Sequence, residues 1–176
     1  MADAAAGGLV RTVARRRVAL GFVAGAVMLA LARPTRESLG AGLLVAALGE
    51  CLRIWAAGHV EKGREVTRSG PYRFFGHPLY AGSMVIALGI AIAARGALPA
   101  LLAGLYMGVT IASAIQVEEA QLRERFGAAY DDYRASRAEP MRRPFSLSRV
   151  MRNREYRAVA GLALGFGLLA LKMFAI

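Results

Sequence analysis

Two short stretches hold most of the side chains that can do chemistry. The first, residues 69–80, reads Ser-Gly-Pro-Tyr-Arg-Phe-Phe-Gly-His-Pro-Leu-Tyr and runs straight into an apolar segment. Gly70-Pro71 is a turn signal, because proline fixes φ and glycine tolerates what the turn demands. Pro78 pushes His77 out of the helical region and itself suits the first position of a helix. His77 is therefore predicted at a helix mouth, beside the amides of Leu79, Tyr80 and Ala81, which lack intrahelical acceptors. With the helix dipole added, such a mouth attracts an anionic group. The second stretch begins with Glu118-Glu119, where a later apolar segment turns polar. Adjacent carboxylates there can hold a ligand amine or hydroxyls.

The elements that must carry these stretches follow from hydropathy. Apolar segments run over about 18–32, 39–60, 79–94, 98–117 and 156–176. Each is read as a membrane-spanning helix, which predicts an all-α bundle of about five spans. Arg17 and Arg33 bound the first, whose Ala30-Leu31-Ala32 also resembles a secretory cleavage site. Residues 1–9 are small and polar to neutral, and are expected to be disordered. Glu50 and Arg53, at i,i+3 inside the second segment, can pair, and ionisable groups at membrane depth mark either a functional interior or a structural ion pair. Trp55 suits an interfacial anchor. Leu122, Phe126, Ala129, Tyr130 and Tyr133 fall on one face of an amphipathic helix that continues out of the fourth span, where Glu119 and Arg123 can pair at i,i+4. GxxxG spacings at Gly21/Gly25, Gly104/Gly108 and Gly161/Gly165 predict close helix approach.

A 176-residue chain that is 56% hydrophobic yet carries a net charge of +11 fits apolar spans joined by basic loops. The basic residues flank the spans instead of forming one stripe, which disfavours nucleic-acid binding. Cys51 is the single cysteine, so no internal disulfide and no metal-ligand cluster is expected, and a packed, inert thiol is the simplest reading. Most of the 23 basic residues lie in the N-terminus, the 61–78 loop and the 118–157 region. The positive-inside rule makes that side cytosolic, with both chemical stretches on it. Apart from Lys62 and Lys172 the basic residues are all arginine, which points to a GC-rich prokaryotic source and its cytoplasmic membrane. The predicted organisation is a basic cytosolic N-terminus (1–17), two spans (18–60), a core of loops and a helical hairpin (61–140), and a basic linker with a last span (141–176).

Gly70-Pro71-Tyr72, His77-Pro78-Leu79-Tyr80, one hairpin, then Glu118-Glu119 with Phe126-Gly127, Tyr130 and Tyr133 resembles the isoprenylcysteine carboxyl methyltransferase family, whose superfamily includes the phospholipid methyltransferases. The resemblance covers about residues 52–137, leaving out the first and last spans. It implies an integral-membrane enzyme using S-adenosyl-L-methionine, with Tyr72, His77, Pro78, Leu79, Tyr80 and Glu118 lining the cofactor site and Glu119 beside it. It also puts residues 64–67 at a further cofactor-lining position.

For an amine or hydroxyl acceptor a base is needed, and Glu119 or His77 is the candidate; a carboxylate or thiolate acceptor needs none. Two positions depart from the family pattern. Gly76 stands where the family has an arginine, with Arg73 near enough to substitute. Ala114 stands where the carboxyl methyltransferases carry a substrate-linked arginine. The second departure opens the acceptor class to amines, thiols and other lipids. Three readings follow: a methyltransferase for a lipophilic or small acceptor, a phospholipid-headgroup N-methyltransferase, or a non-catalytic membrane binding module of the same fold. A soluble-type methyltransferase lacks its glycine-rich strand-to-helix turn here.

Overall fold

The computed structural model describes Arg16 and residues 19–175, so the expectations for residues 1–15, Arg17 and Val18 lie outside the described part. Within it the chain is all-α: α1 (Ala19–Leu31), α2 (Arg36–Ala57), a 3-10 turn (Gly70–Arg73), α3 (Pro78–Ala94), α4 (Ala97–Phe126), α5 (Ala128–Arg134), α6 (Leu147–Arg152) and α7 (Tyr156–Ala175). The five apolar segments all form helices. Three of them, α2, α4 and α7, are long and apolar enough to cross a membrane, whereas α1 and α3 are shorter apolar helices. At 17 residues, α3 rises about 25 Å, a little under the roughly 30 Å of a hydrocarbon core.

Small residues set the pairing of α2 with α3. A Cβ added to Gly49 would stand 2.7 Å from the Gly82 carbonyl, and one on Gly89 would stand 2.6 Å from the Ala46 amide. Gly42 meets the Gly89 carbonyl in the same way, so backbone lies on backbone along the whole contact. The GxxxG pairs named above do not supply this. Among the described residues, Gly25, Gly104, Gly108, Gly161 and Gly165 have nothing within 4 Å of an added Cβ, and Gly21 abuts the Tyr106 phenol. The working spacing is seven residues, Gly42/Gly49 against Gly82/Gly89. Gly49→Ala is expected to cost about 1–3 kcal/mol, seen as a lowered Tm in detergent. Gly104→Ala is the control, and equal melting of the two proteins would refute the contact.

The ends are tied by specific bonds. Thr35 and Ser38 form a reciprocal capping box at the start of α2, and the Ser38 hydroxyl also donates to the Ala93 carbonyl at 3.1 Å. Lys172, near the C-terminal end of α7, donates to the Leu29 and Ala30 carbonyls at 2.6 and 2.7 Å, capping α1. At the other end, residues 141–155 wrap over the C-terminus of α2. Asn153 donates to the Ala57 carbonyl at 2.9 Å and Arg149 to the Gly58 carbonyl at 2.7 Å. Arg143 grips Glu65 through two bonds of 2.6 and 2.7 Å. What composition reads as a basic linker is a strap whose arginines satisfy orphan carbonyls. Cys51 is exposed on α2, not packed as expected.

Candidate active site

The chain enters α3 as predicted, with Pro78 in the first turn and His77 as a non-helical cap. The helix mouth is less open than expected. The amides of Tyr80 and Ala81 both donate to the His77 carbonyl at 3.1 Å, so they are not spare donors for an anion. The charged groups around the mouth therefore matter more than the backbone.

Those groups arrive from α4 and α5. The helix beyond Glu118 is not continuous to Tyr133: it breaks at Gly127, whose φ of +50° suits glycine, and α5 folds back. The Tyr133 hydroxyl then donates to the carbonyls of Tyr72 at 2.8 Å and Phe75 at 3.3 Å, fixing α5 to the aromatic loop. This closure brings Glu119 to His77, with Oε1 3.2 Å from Nε2. The same oxygen lies 3.2 Å from Arg134 Nη2, and Arg123 stands 3.8 Å from Oε2. His77 and Glu119 keep only 13% and 17% of their side-chain exposure. The His77 ring lies 5.8 Å from that of Tyr80.

Arg134 also lies beside Gly76. A Cβ there would stand 2.8 Å from Arg134 Nη1, so the guanidinium occupies the space beside Gly76. Arg73, the sequence-based substitute, is exposed. Nothing in the local sequence could have chosen Arg134, which is separated from Gly76 by an entire helical hairpin.

Tyr72 is at the centre of the arrangement. Burial drives its phenol well above the ordinary range, the Glu118 carboxylate raises it further, and Tyr133, Glu155 and Tyr80 add to this. Glu118 and Tyr80 thus both act electrostatically on one half-buried phenol, while Glu118 has no hydrogen bond or ion pair among the described residues. Tyr130 is 1% exposed and its hydroxyl has no hydrogen-bond partner there. Burial pushes that phenol up to about 12, with Glu119 adding and Arg134 opposing, so the hydroxyl stays a donor.

Behind Tyr72 lies a charged cluster that sequence reading caught only in part. Arg53 pairs with Glu50 at 3.8 Å, the expected i,i+3 contact, but its close partner is Glu155 at 2.6 Å. Arg53 also donates to the Leu79 carbonyl at 3.3 Å and to the Ser83 hydroxyl. It thereby ties α2 to the first turns of α3 and to the start of α7. The signal that could have exposed Glu155 is its isolation, as the one acid in the arginine-rich stretch 140–157. On a different face of α5, a cavity of about 420 Å³ is lined by Arg64, Val66, Arg68, Phe126 and Asp132 among others.

Five apolar helices thus carry a polar, partly unpaired cluster at one end. The sequence model of the phospholipid methyltransferase family matches residues 22–129, well over half the chain, and the chain belongs to that family. No curated protein and no solved structure matches it significantly. The family match extends further back than residues 52–137, taking in α2 and most of α1, and it stops before Tyr130. Arg134, Glu155 and the final helix lie outside it.

Proposed function

We propose that the chain is an integral-membrane S-adenosyl-L-methionine-dependent methyltransferase acting on a lipophilic or small acceptor at the cytosolic membrane face. The observation that carries this reading is the convergence of Tyr72, His77 and Tyr80 with the unpaired Glu118 carboxylate and the unpartnered Tyr130 hydroxyl. The donor set fits the cofactor. Glu118 suits its ammonium or ribose hydroxyls, Arg134 and His77 suit its carboxylate, and the Tyr72 and Tyr80 rings suit adenine or the sulfonium. Pro78 and Leu79 open α3 at the same mouth. When bound, the cofactor supplies an electrophilic methyl group.

The protein's own work is positioning and exclusion of water, which fits a direct displacement. Glu119, already accepting from His77 and paired with Arg134, orients the imidazole. Glu119 is then the candidate base for the proton that an amine or hydroxyl acceptor must lose. Ala114 is buried and apolar, so that position offers no guanidinium to an acceptor carboxylate. This favours an amine acceptor, including a phospholipid headgroup, over prenylcysteine.

Incubating membranes with methyl-labelled cofactor and identifying the labelled lipid tests the proposal. Absence of any labelled product, together with no binding of S-adenosylhomocysteine by folded protein, would leave the non-catalytic module. Arg134→Gln is expected to lower kcat/KM by about tenfold or more while Arg73→Gln does not; matching losses would return the role to Arg73. Cysteines placed at Arg64 and Arg123, on a background lacking Cys51, should be labelled only from the cytosolic side. Labelling from outside would reverse the orientation.

A further inference from the structure

A second cavity, of about 330 Å³, lies where the loop after α2 meets the turn between α6 and α7. It is lined by Glu61, Lys62, Arg64, Arg152, Asn153 and Arg154. Lys62, Arg64, Arg152 and Arg154 face Glu61 alone, and that carboxylate is already shared: it lies 3.2 Å from Arg152, 3.9 Å from Arg64 and 4.0 Å from Arg149. Lys62 and Arg154 have no carboxylate partner among the described residues. The cavity therefore holds a surplus of positive charge that the protein does not neutralise.

The walls are built, not loose. Asn153 donates to the Ala57 carbonyl at 2.9 Å and to the Val60 carbonyl at 3.2 Å, locking the two lips together. Arg154 is held at a φ of +59°, a left-handed conformation that costs a non-glycine residue about 1 kcal/mol or more. The level is that of the helix ends: α2 finishes at Ala57 and α7 starts at Tyr156. Leu147, Met151 and Tyr156 expose apolar surface beside it. Guanidinium groups at that depth match the geometry and charge of a phosphate oxygen fork.

We propose that this cavity is a binding site for a phosphate-bearing anion, distinct from the His77–Glu119 cluster although Arg64 also lines the larger cavity, and independent of the reading of the methyl-transfer site. The anion is either the headgroup phosphate of an acidic lipid or free phosphate. Native mass spectrometry of the full chain, mixed with phosphatidylglycerol and phosphatidylcholine, distinguishes the first source. Thermal melting in phosphatidylcholine nanodiscs with added inorganic phosphate distinguishes the second.

Wild-type protein should retain phosphatidylglycerol over phosphatidylcholine by on the order of tenfold, or else melt higher with phosphate. Arg152→Gln with Arg154→Gln should abolish whichever effect is seen, and Lys62→Gln, an exposed single change, should weaken it should the double variant fold poorly. Arg142→Gln, which removes an exposed charge outside the cavity, should leave it intact. Absence of both effects in the wild type, or an equal loss in Arg142→Gln, overturns the proposal.

Discussion

Arg53→Met should destabilise the protein by about 3–5 kcal/mol, the cost of leaving a buried carboxylate without its partner. Glu155 is 4% exposed and Glu50 6%, and neither Glu50 oxygen has a hydrogen-bond donor within the described residues. Removing the one guanidinium would strand both acids beneath Tyr72. Arg53→Lys should rescue little, because one ammonium cannot reach Glu155, the Leu79 carbonyl and Ser83 with the same planar geometry. Arg53→Met combined with Glu155→Gln should recover part of the loss. Chemical denaturation in detergent measures the cycle, and strictly additive single effects would show that the pair is not coupled. Because Arg53 holds the first turn of α3, Arg53→Met should also weaken substrate analogues in the fraction that folds.

The second large effect belongs to the candidate site. Glu118→Gln and His77→Ala should each weaken S-adenosylhomocysteine binding by roughly tenfold to a hundredfold, the worth of a charge-assisted hydrogen bond in a sheltered site. Melting temperatures should move little. Glu118 makes no ion pair among the described residues, so the fold does not lean on it, and His77 already fixes α3 through its carbonyl, which alanine keeps. Isothermal titration reads the affinities, and unchanged binding in both variants would remove the site as drawn.

Much of this protein was legible as a string of residues. Hydropathy located all five apolar helices, because the period and length of an apolar run are local properties. Pro78 marked the start of α3 and the paired glutamates marked the polar end of α4. The order of the motifs placed the chain near the phospholipid methyltransferases. Spacing within one helix also anticipated the Glu50–Arg53 and Glu119–Arg123 pairs.

Tertiary structure alone decided which distant groups meet. Arg134 reaches Gly76 and Glu119 only because Gly127 breaks the helix and Tyr133 anchors α5 to the loop. Glu155 becomes a partner of Arg53 only because the strap folds residues 141–155 back over α2. Close packing was likewise a pairwise matter: the Gly104/Gly108 and Gly161/Gly165 motifs meet nothing among the described residues, while glycines seven apart on two different helices touch backbone to backbone. Sequence periodicity states which side chains share a face of one helix. It carries no information about which face another helix chooses, and that choice is made by the backbone contacts, cap bonds and buried charges that only the folded chain assembles.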